Sequence, residues 1–526
     1  MMLLRFKYCF TLLLLSLLCI TAFAQSKKYD KQEKKLFLEG DSYYVYGDFL
    51  TATTYFEQLY PVDSSDAEIN FIMGDAYYQL DQYKEALPYL KKGAAYNTDA
   101  HYLRAKIYLH EAKFDQMQAA LGLFEQHYDP KQSSFNAEFI KRLKEQASVA
   151  KKMMANPEVL NIINLGPKVN SDQDEYVPLI TSDESILYFT SRRLHENNTL
   201  DPRGEPFEDI YRTEKAEGEW TEAQLVDEIN TETHDAAVGL SPDGQRLYTF
   251  KPNNNLIGGD LYESIKKEGK WTKPIRLESA INKYESIERS ASLALDGKTF
   301  YFSSNREGGF GGFDLYRVKM LPNGQWSEAK NLGPDINTAF DEDAPFIHPD
   351  GITLYFSSKG HENMGGFDLF KASLIDQEQW TSPENLGFPT NTTKDDIFFV
   401  ISANEQKAYY AANKAGGFGG HDIYMIDYLE RDLRQSVIRA KVLDATSNEP
   451  LSADISLVEL ESGELTGVYR SRSEDGGFIF LVNPGVEYDL MIELEGYEEQ
   501  MEIILYEKEA LMKEQSLTFK LNPLSK

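Results

Sequence analysis

Cysteine is almost absent from this chain of 526 residues. The two cysteines, Cys9 and Cys19, lie in a hydrophobic stretch near the start that follows a short basic region. An Ala-Phe-Ala sequence at positions 22–24 then gives the small-x-small pattern that signal peptidase recognises. We therefore expect residues 1–24 to be a signal peptide that is cleaved before Gln25. A mature chain without cysteine excludes disulfides, thiolate catalysis and cysteine-bound zinc.

Long hydrophobic runs are also scarce. The stretch from Tyr8 to Ile20 is shorter than the ~20 residues that a membrane-spanning helix needs, and no later stretch is long enough. We expect an exported, periplasmic protein that does not span the membrane and lies at the outer membrane. Two alternatives stay open: an uncleaved anchor, and a lipoprotein acylated on Cys19, for which Ser16 and Leu18 fit poorly.

Basic residues are much fewer than acidic ones. The chain has 84 acidic and 54 basic residues, a formal net charge of −30 at pH 7, and no run of lysine or arginine. Such a surface repels nucleic acid and anionic lipid, so neither is an expected partner. The simplest interpretation is that the acidity keeps a large exported protein soluble.

A repeat with a period of 34 residues occupies the region between Lys34 and Ser134. Small and large apolar residues recur in phase, as in tetratricopeptide (TPR) repeats, where small residues let two helices approach and large ones fill the gap. The pattern predicts a helical solenoid over residues 25–155, closed by a capping helix over 135–154. The positions that keep phase three times are Ala52, Ala86 and Ala120, and Phe56, Leu90 and Phe124.

The first helix of each repeat should line the concave face of this solenoid. There Asp41 and Tyr44 of the first repeat match Asp75 and Tyr78 of the second. We expect these four residues to form a groove for a peptide or helix, with tyrosine as anchor and aspartate as polar selector. The alternative is that they are ordinary solvated or inter-repeat residues.

A longer repeat begins near Leu160. Triplets of Asp, Ile or Leu, and Tyr or Phe recur 51 to 54 residues apart, and the four tryptophans keep step with the first four triplets. A period of about fifty with short β-rich segments is typical of propeller blades. It predicts an all-β propeller over residues 156–433 with five blades, while a sixth blade built from degenerate terminal strands stays open. The triplets begin at Asp209, Asp260, Asp314, Asp368 and Asp422, and the tryptophans are Trp220, Trp271, Trp326 and Trp380.

Two features of this repeat could suggest a ligand. Glycine clusters at 308–312 and 416–420 look like phosphate loops, but they lead into strands rather than helices, which favours turns with positive φ. The repeated aspartates could form a ring of metal ligands, but an aspartate at a constant repeat position usually caps a turn. The tryptophans should pack between neighbouring blades. We therefore predict no cofactor and no metal site.

Two segments resemble known families. The sequence from Phe302 to Arg317 resembles the WD40-like PD40 blades of TolB-type propellers in bacterial envelope proteins. The sequence from Val437 to Pro523 is similar to the carboxypeptidase-regulatory-like module, a transthyretin-type β-sandwich. This second resemblance implies a β-sandwich domain over residues 434–526. The whole chain is thus expected to be multidomain: an α-helical TPR solenoid, an all-β propeller and a sandwich.

The order of these domains after a signal peptide resembles periplasmic, outer-membrane-associated proteins of the type IX secretion system and gliding motility. Those proteins usually continue into an OmpA-like domain that binds peptidoglycan. This chain stops at Lys526 without one. The resemblance therefore implies partners among envelope proteins, such as outer-membrane or secretion-complex components, rather than direct contact with peptidoglycan.

Motifs typical of enzymes are missing from the sequence. There is no Gly-x-Ser-x-Gly nucleophile elbow and no His-Glu-x-x-His metal motif, and the eight histidines are scattered, with His348 and His421 beside turn residues. We expect a non-catalytic scaffold that mediates protein–protein interactions in an envelope complex. The alternative is a propeller that binds glycan or peptidoglycan fragments at its mouth, with weak glycan-processing activity. Fold alone does not decide between them.

Overall fold

The computed structural model describes residues 29–195, 200, 205–253, 258–376, 378–428, 435–507 and 516–524. The predicted signal peptide, with Cys9 and Cys19, lies outside the described residues. The chain divides near Lys152 into two compact units, the first helical and the second built of β-strands. Among the described helices, none is both long enough and apolar enough to cross a membrane.

Seven helices are described in the first unit, which confirms the expected helical class of this region. Aspartates begin the first three of them: Asp30, Asp48 and Asp66 accept hydrogen bonds from backbone N–H groups of the first turn, which have no partner inside the helix. The helices are α1 Lys31–Tyr46, α2 Phe49–Leu59, α3 Ala67–Gln79, α4 Tyr83–Gly93, α5 Asp99–His110, α6 Phe114–His127 and α7 Ala137–Met154.

Glycine allows the helices to pack closely in pairs. A Cβ atom at Gly74 of α3 would lie 2.8 Å from the backbone nitrogen of Leu90 on α4, and one at Gly40 of α1 would lie 3.0 Å from the ring of Phe56 on α2. Neither glycine can therefore be enlarged without moving the partner helix. The six in-phase positions predicted from the sequence are all buried in this unit.

The second unit begins with five antiparallel sheets, which confirms the expected β class. Sheets one to five are numbered in chain order. Strand β1, Asn161–Asn164, belongs to sheet five. Sheet one contains β2 Glu175–Ile180, β3 Ile186–Ser191, β4 Asp209–Ala216, β5 Glu219–Trp220 and β6 Gln224–Leu225; sheet two β7 Ala236–Leu240, β8 Arg246–Pro252, β9 Gly259–Lys267, β10 Lys270–Trp271 and β11 Ile275–Arg276; sheet three β12 Glu288–Leu293, β13 Thr299–Ser304, β14 Asp314–Lys319 and β15 Lys330–Asn331; sheet four β16 Glu342–Ile347, β17 Thr353–Ser358, β18 Asp368–Ser373 and β19 Glu384–Asn385; sheet five β20 Asp396–Ile401, β21 Lys407–Ala412, β22 Asp422–Asp427 and β1.

The five sheets form a closed ring. Their first strands, β2, β7, β12, β16 and β20, contact one another in that order, and β20 contacts β2. Strand β1 pairs antiparallel with β22, with Asn161 opposite Asp427 and Asn164 opposite Tyr424. The start of this unit thus supplies the fourth strand of its last sheet and joins the two ends of the ring.

Two further sheets follow the ring. Residues from both fill one hydrophobic core, with Ile438, Ile455, Phe480 and Leu490 fully buried in it. The three-stranded sheet has β26 and the parallel β29 on either side of β23, and the four-stranded sheet has the order β25-β24-β27-β28. The strands are β23 Ser436–Asp444, β24 Asp454–Glu459, β25 Leu465–Arg470, β26 Gly477–Val482, β27 Glu487–Glu493, β28 Gln500–Leu505 and β29 Ser516–Leu521.

Candidate functional site

The predicted groove residues lie on the first helices of two successive helix pairs. Asp41 and Tyr44 are on α1, and Asp75 and Tyr78 are on α3. In each pair the two residues are three positions apart and so share one helix face. All four side chains are half-buried, which leaves part of each accessible to a partner.

Tyr44 and Asp75 contact each other directly across the two helices. The hydroxyl of Tyr44 donates a hydrogen bond to Oδ2 of Asp75, and Nε2 of Gln79 donates to Oδ1 of the same carboxylate over 3.1 Å. Burial, and then the neighbouring Asp75 carboxylate, raises the pKa of Tyr44 well above its usual value. The hydroxyl therefore stays protonated and couples the two helix pairs.

The row continues onto α5. Nζ of Lys106 lies 5.4 Å from the centroid of the Tyr78 ring. The ring centroids of Tyr78 and Tyr83 are 5.6 Å apart. A cation over a tyrosine face is attracted by the ring quadrupole. At the other end of the row, burial raises the pKa of Asp41. We call these residues the helical row: Asp41, Tyr44, Asp75, Tyr78 and Lys106.

The axis of the ring is narrow and apolar. The inner strands enclose a cavity of about 40 Å³, lined by side chains such as Val177, Val238, Phe346 and Phe398. Pockets that hold small ligands typically measure about 300–1,000 Å³. At the level of these side chains, the volume of the cavity is well below that range.

Fully buried carboxylates mark the start of the five inner strands, a feature that the sequence analysis missed. Most pair with a cation: Arg193 lies 3.2 Å from Glu175, Lys251 lies 2.6 Å from Asp235 and Arg306 lies 3.3 Å from Glu288. Serine or threonine residues supply further hydrogen bonds, as Ser171 does to Glu175. The detectable signal was a constant offset, because each acid stands thirteen residues before a buried tyrosine in the next strand. The acids are Glu175, Asp235, Glu288, Glu342 and Asp396, and the tyrosines Tyr188, Tyr248, Tyr301, Tyr355 and Tyr409.

Sheet four differs from sheet three at this position. Where sheet three has Arg306, two residues after its second strand, sheet four has Gly360. Glu342 accepts hydrogen bonds from the backbone N–H and hydroxyl of Thr338, at 2.8 and 2.7 Å, and from the hydroxyl of Ser358 at 2.7 Å. Burial raises the pKa of Glu342 to about 7. Its carboxyl group is therefore protonated over much of the acidic range.

The triplet aspartates cap the glycine-rich loops, as predicted, in sheets three and five. Asp314 accepts backbone hydrogen bonds from Phe310 and Gly311 at 2.6 and 3.0 Å, and Asp422 accepts the equivalent pair in sheet five. A Cβ atom at Gly311 would lie 2.0 Å from the carbonyl oxygen of Phe340 in the next linker. These loops are therefore tight turns packed against the neighbouring sheet.

Tryptophan packs between neighbouring sheets, which confirms the prediction for three of the four. In each case the indole lies against the buried tyrosine of the preceding sheet around the ring. The ring centroids are 5.8 Å apart for Trp271 and Tyr188, 6.3 Å for Trp380 and Tyr301, and 6.4 Å for Trp220 and Tyr409.

Asparagines in the linkers between sheets fix the third strand of each sheet. Asn282 accepts a hydrogen bond from the N–H of Leu261 and donates one to its carbonyl, both at 2.8 Å. Asn170 makes the same two bonds with Ile423, at 2.8 and 3.1 Å. Because Asn170 follows β1 and Ile423 lies in β22, this pair joins the ends of the ring.

The two sheets that follow the ring cover one end of it. Leu295 and Ala403, in turns that follow the inner strands β12 and β20, are buried in the hydrophobic core that these two sheets share. The N–H of Val468 donates to the carbonyl of Leu295 over 3.3 Å. The glycine-rich loops lie at the opposite ends of the strands, so they surround the other end of the ring.

Among the described residues, one group of three side chains has the composition of a metal site: His348, Asp350 and Glu405. His348 lies in a turn, as the sequence indicated. Sequence reasoning missed the group because Glu405 belongs to the following sheet and only the ring brings it near.

No protein-family model matches the chain, and no curated protein matches it. Solved structures similar to it include a TolB-type protein from Agrobacterium tumefaciens, 15% identical, covering 62% of this chain and 99% of that one with a TM-score of 0.32. An endo-arabinase from Bacteroides thetaiotaomicron is 14% identical over 52% of this chain and 99% of its own, with a TM-score of 0.34. A gluconolactonase from Xanthomonas campestris is 13% identical over 52% and 92%, with a TM-score of 0.29. Likenesses this weak transfer no activity to this chain.

Proposed function

We propose that this chain is a non-catalytic scaffold of the bacterial cell envelope that binds a protein partner through the helical row. The observation that carries the proposal is the continuity of that row: Tyr44 of α1 contacts Asp75 of α3, and Tyr78 of α3 lies beneath Lys106 of α5. Large, rigid aromatic side chains with charged neighbours are the typical anchors of a protein interface.

The finer architecture belongs to the same proposal. We assign the helices to a TPR-type solenoid, the five sheets to the blades of a five-bladed propeller closed by β1, and the last two sheets to a transthyretin-type sandwich. The closing contacts of Asn170 with Ile423 support the blade count, because they repeat those of Asn282 with Leu261 inside the ring. The ring and sandwich would serve as a rigid platform.

The chemistry of the helical row defines the partner. Two aspartates flank Tyr44, so a bound segment should carry lysine or arginine beside an apolar side chain that packs on the tyrosines. An amphipathic helix or an extended peptide of another envelope protein meets this description. The resemblance to type IX secretion and gliding proteins makes a component of that system the first candidate.

The glycan-binding alternative is the weaker of the two. Its expected site was the mouth of the ring, yet the axial cavity measures about 40 Å³ and is lined by apolar side chains. The buried carboxylates nearby pair with cations or hydroxyls of the ring itself, as Glu288 pairs with Arg306 and Ser304. Neither the cavity between the inner strands nor these acids supports a glycan site there.

Affinity capture tests the proposal. The chain is crosslinked in native envelopes, purified and analysed by mass spectrometry, in parallel with the double variant Y44A/Y78A. We expect a stoichiometric protein partner with the wild type and at least a tenfold loss of it with the variant, because both aromatic anchors are removed.

The matched control is Tyr284→Ala, since Tyr284 is an exposed tyrosine of the ring, distant in sequence from the helical row. It should recover the partner as the wild type does. Circular dichroism verifies that Y44A/Y78A keeps its helices. Retention on sacculus or glycan material without a protein partner would overturn the scaffold proposal in favour of the alternative.

A further inference from the structure

The turns that follow the inner strands of sheets one, two and five share a design. A hydroxyl two residues before an Asp or Asn bonds to its side chain: Thr181 to Asp183 at 2.8 Å in sheet one, and Ser402 to Asn404 at 2.7 Å in sheet five. The equivalent position holds Ala294 in sheet three and the imidazole of His348 in sheet four. The turn of sheet four therefore carries a metal-ligating side chain where three of its four counterparts carry a capping hydroxyl.

The imidazole of His348 is buried, with only 1% of its surface exposed. Its Nδ1 atom accepts a hydrogen bond from the backbone N–H of Asp350 over 3.2 Å and lies 3.3 Å from Oδ2 of the same residue. Its Nε2 atom has no hydrogen-bond partner among the described residues. A buried ring nitrogen without a partner costs stability unless another group satisfies it.

Glu405 comes from the turn of sheet five and is also buried. One ligand atom from each of His348, Asp350 and Glu405 lies within 4.8 Å of the other two. The counterpart of Glu405 in sheet one, Glu184, faces Lys407 of the preceding sheet at 3.3 Å. In sheet four, Thr353 occupies the position that Lys407 has in sheet five. Glu405 therefore faces the turn that carries His348 and not a lysine at that position.

We propose that His348, Asp350 and Glu405 form a divalent-cation site between sheets four and five, with Zn²⁺ as the ion that fits best. One nitrogen and two carboxylate oxygens are a ligand set that zinc accepts, whereas calcium and magnesium favour oxygen alone. Zinc bonds of about 2.0–2.1 Å place tetrahedral ligands about 3.3 Å apart. The three ligand atoms lie within 4.8 Å of one another, so they must draw together to reach that spacing.

The bound ion would do two things in the ring. It would satisfy the buried imidazole, and it would link two neighbouring sheets beside the sandwich, since Ala403 of the same turn as Glu405 is buried in the sandwich core. Water can take the fourth position, as in zinc sites with three protein ligands.

Isothermal titration with Zn²⁺ alone tests this site on the full chain, produced without a histidine tag and first stripped with EDTA. We expect one ion per chain and a rise in Tm on binding, because an ion that binds only the folded state stabilises it. The variants H348A and E405Q should each weaken binding at least tenfold.

His195→Ala is the matched control, because His195 also pairs with an aspartate, Asp209, at 2.9 Å but belongs to no group of three ligands among the described residues. It should bind Zn²⁺ as the wild type does. If H348A unfolds, E405Q still decides, since it keeps the size of the side chain. Absence of stoichiometric binding, or binding that H348A and E405Q leave unchanged, would overturn the proposal.

Discussion

Glu342 is the residue whose chemistry departs furthest from that of its counterparts in the ring. Its pKa in the folded chain, about 7, lies above the ordinary value of 4.5 because of burial. Between these pH values the folded protein holds a proton that the unfolded chain has released. The free energy of unfolding therefore falls as the pH rises from about 4.5 to about 7.

A neutral side chain at this position should remove that pH dependence. We predict that the free energy of unfolding of E342Q, relative to that of the wild type, rises by roughly 1–3 kcal/mol from about pH 5 to about pH 8, as measured by urea denaturation. The control is E288Q, in which Arg306 loses its carboxylate partner and which should be destabilised at both pH values. An E342Q variant whose stability parallels the wild type at both pH values would contradict this assignment.

At the scale of elements, β1 is the strand on which closure of the ring depends. It is held by its pairing with β22 and by Asn170, which bonds to both backbone groups of Ile423. We predict that N170A costs about 2–4 kcal/mol in unfolding free energy, because it leaves buried backbone groups unpaired. It should also speed hydrogen exchange at Met425, which pairs with Ile163 of β1.

The matched variant N282A loses the same pair of bonds inside the ring, to Leu261. It should cost a similar free energy but leave exchange at Met425 unchanged. Equal exchange at Met425 in the two variants would mean that β1 does not depend on Asn170.

Elements were the part of the fold that the sequence predicted best. The 34-residue period indicated helices, and the Asp triplets indicated strands, because both patterns depend on local spacing. The sequence could not show which residues contact each other across long distances in the chain. The partner of Asn170 lies in β22, the third ligand beside His348 lies in the next sheet, and the hydroxyl of Tyr44 bonds to Asp75 on another helix. Each of these contacts exists only once the repeats are closed or stacked.

At the scale of the whole molecule, the second unit leaves little room for chemistry at its centre. The sandwich covers one end of the ring through Leu295 and Ala403, and the axial cavity is small and apolar. The buried acids are engaged by the ring itself, as Glu175 is by Arg193 and Ser191. This arrangement supports the proposal that the second unit is a platform and that the partner binds the helical unit.

Site-specific photocrosslinking in native envelopes tests the scaffold claim most directly. Benzoylphenylalanine replaces Tyr78 in the helical row or, as a control, the exposed Tyr284 of the ring. The account predicts a discrete protein adduct at position 78 and none of the same mass at position 284. No protein adduct at position 78, with glycan captured at the ring instead, would contradict it.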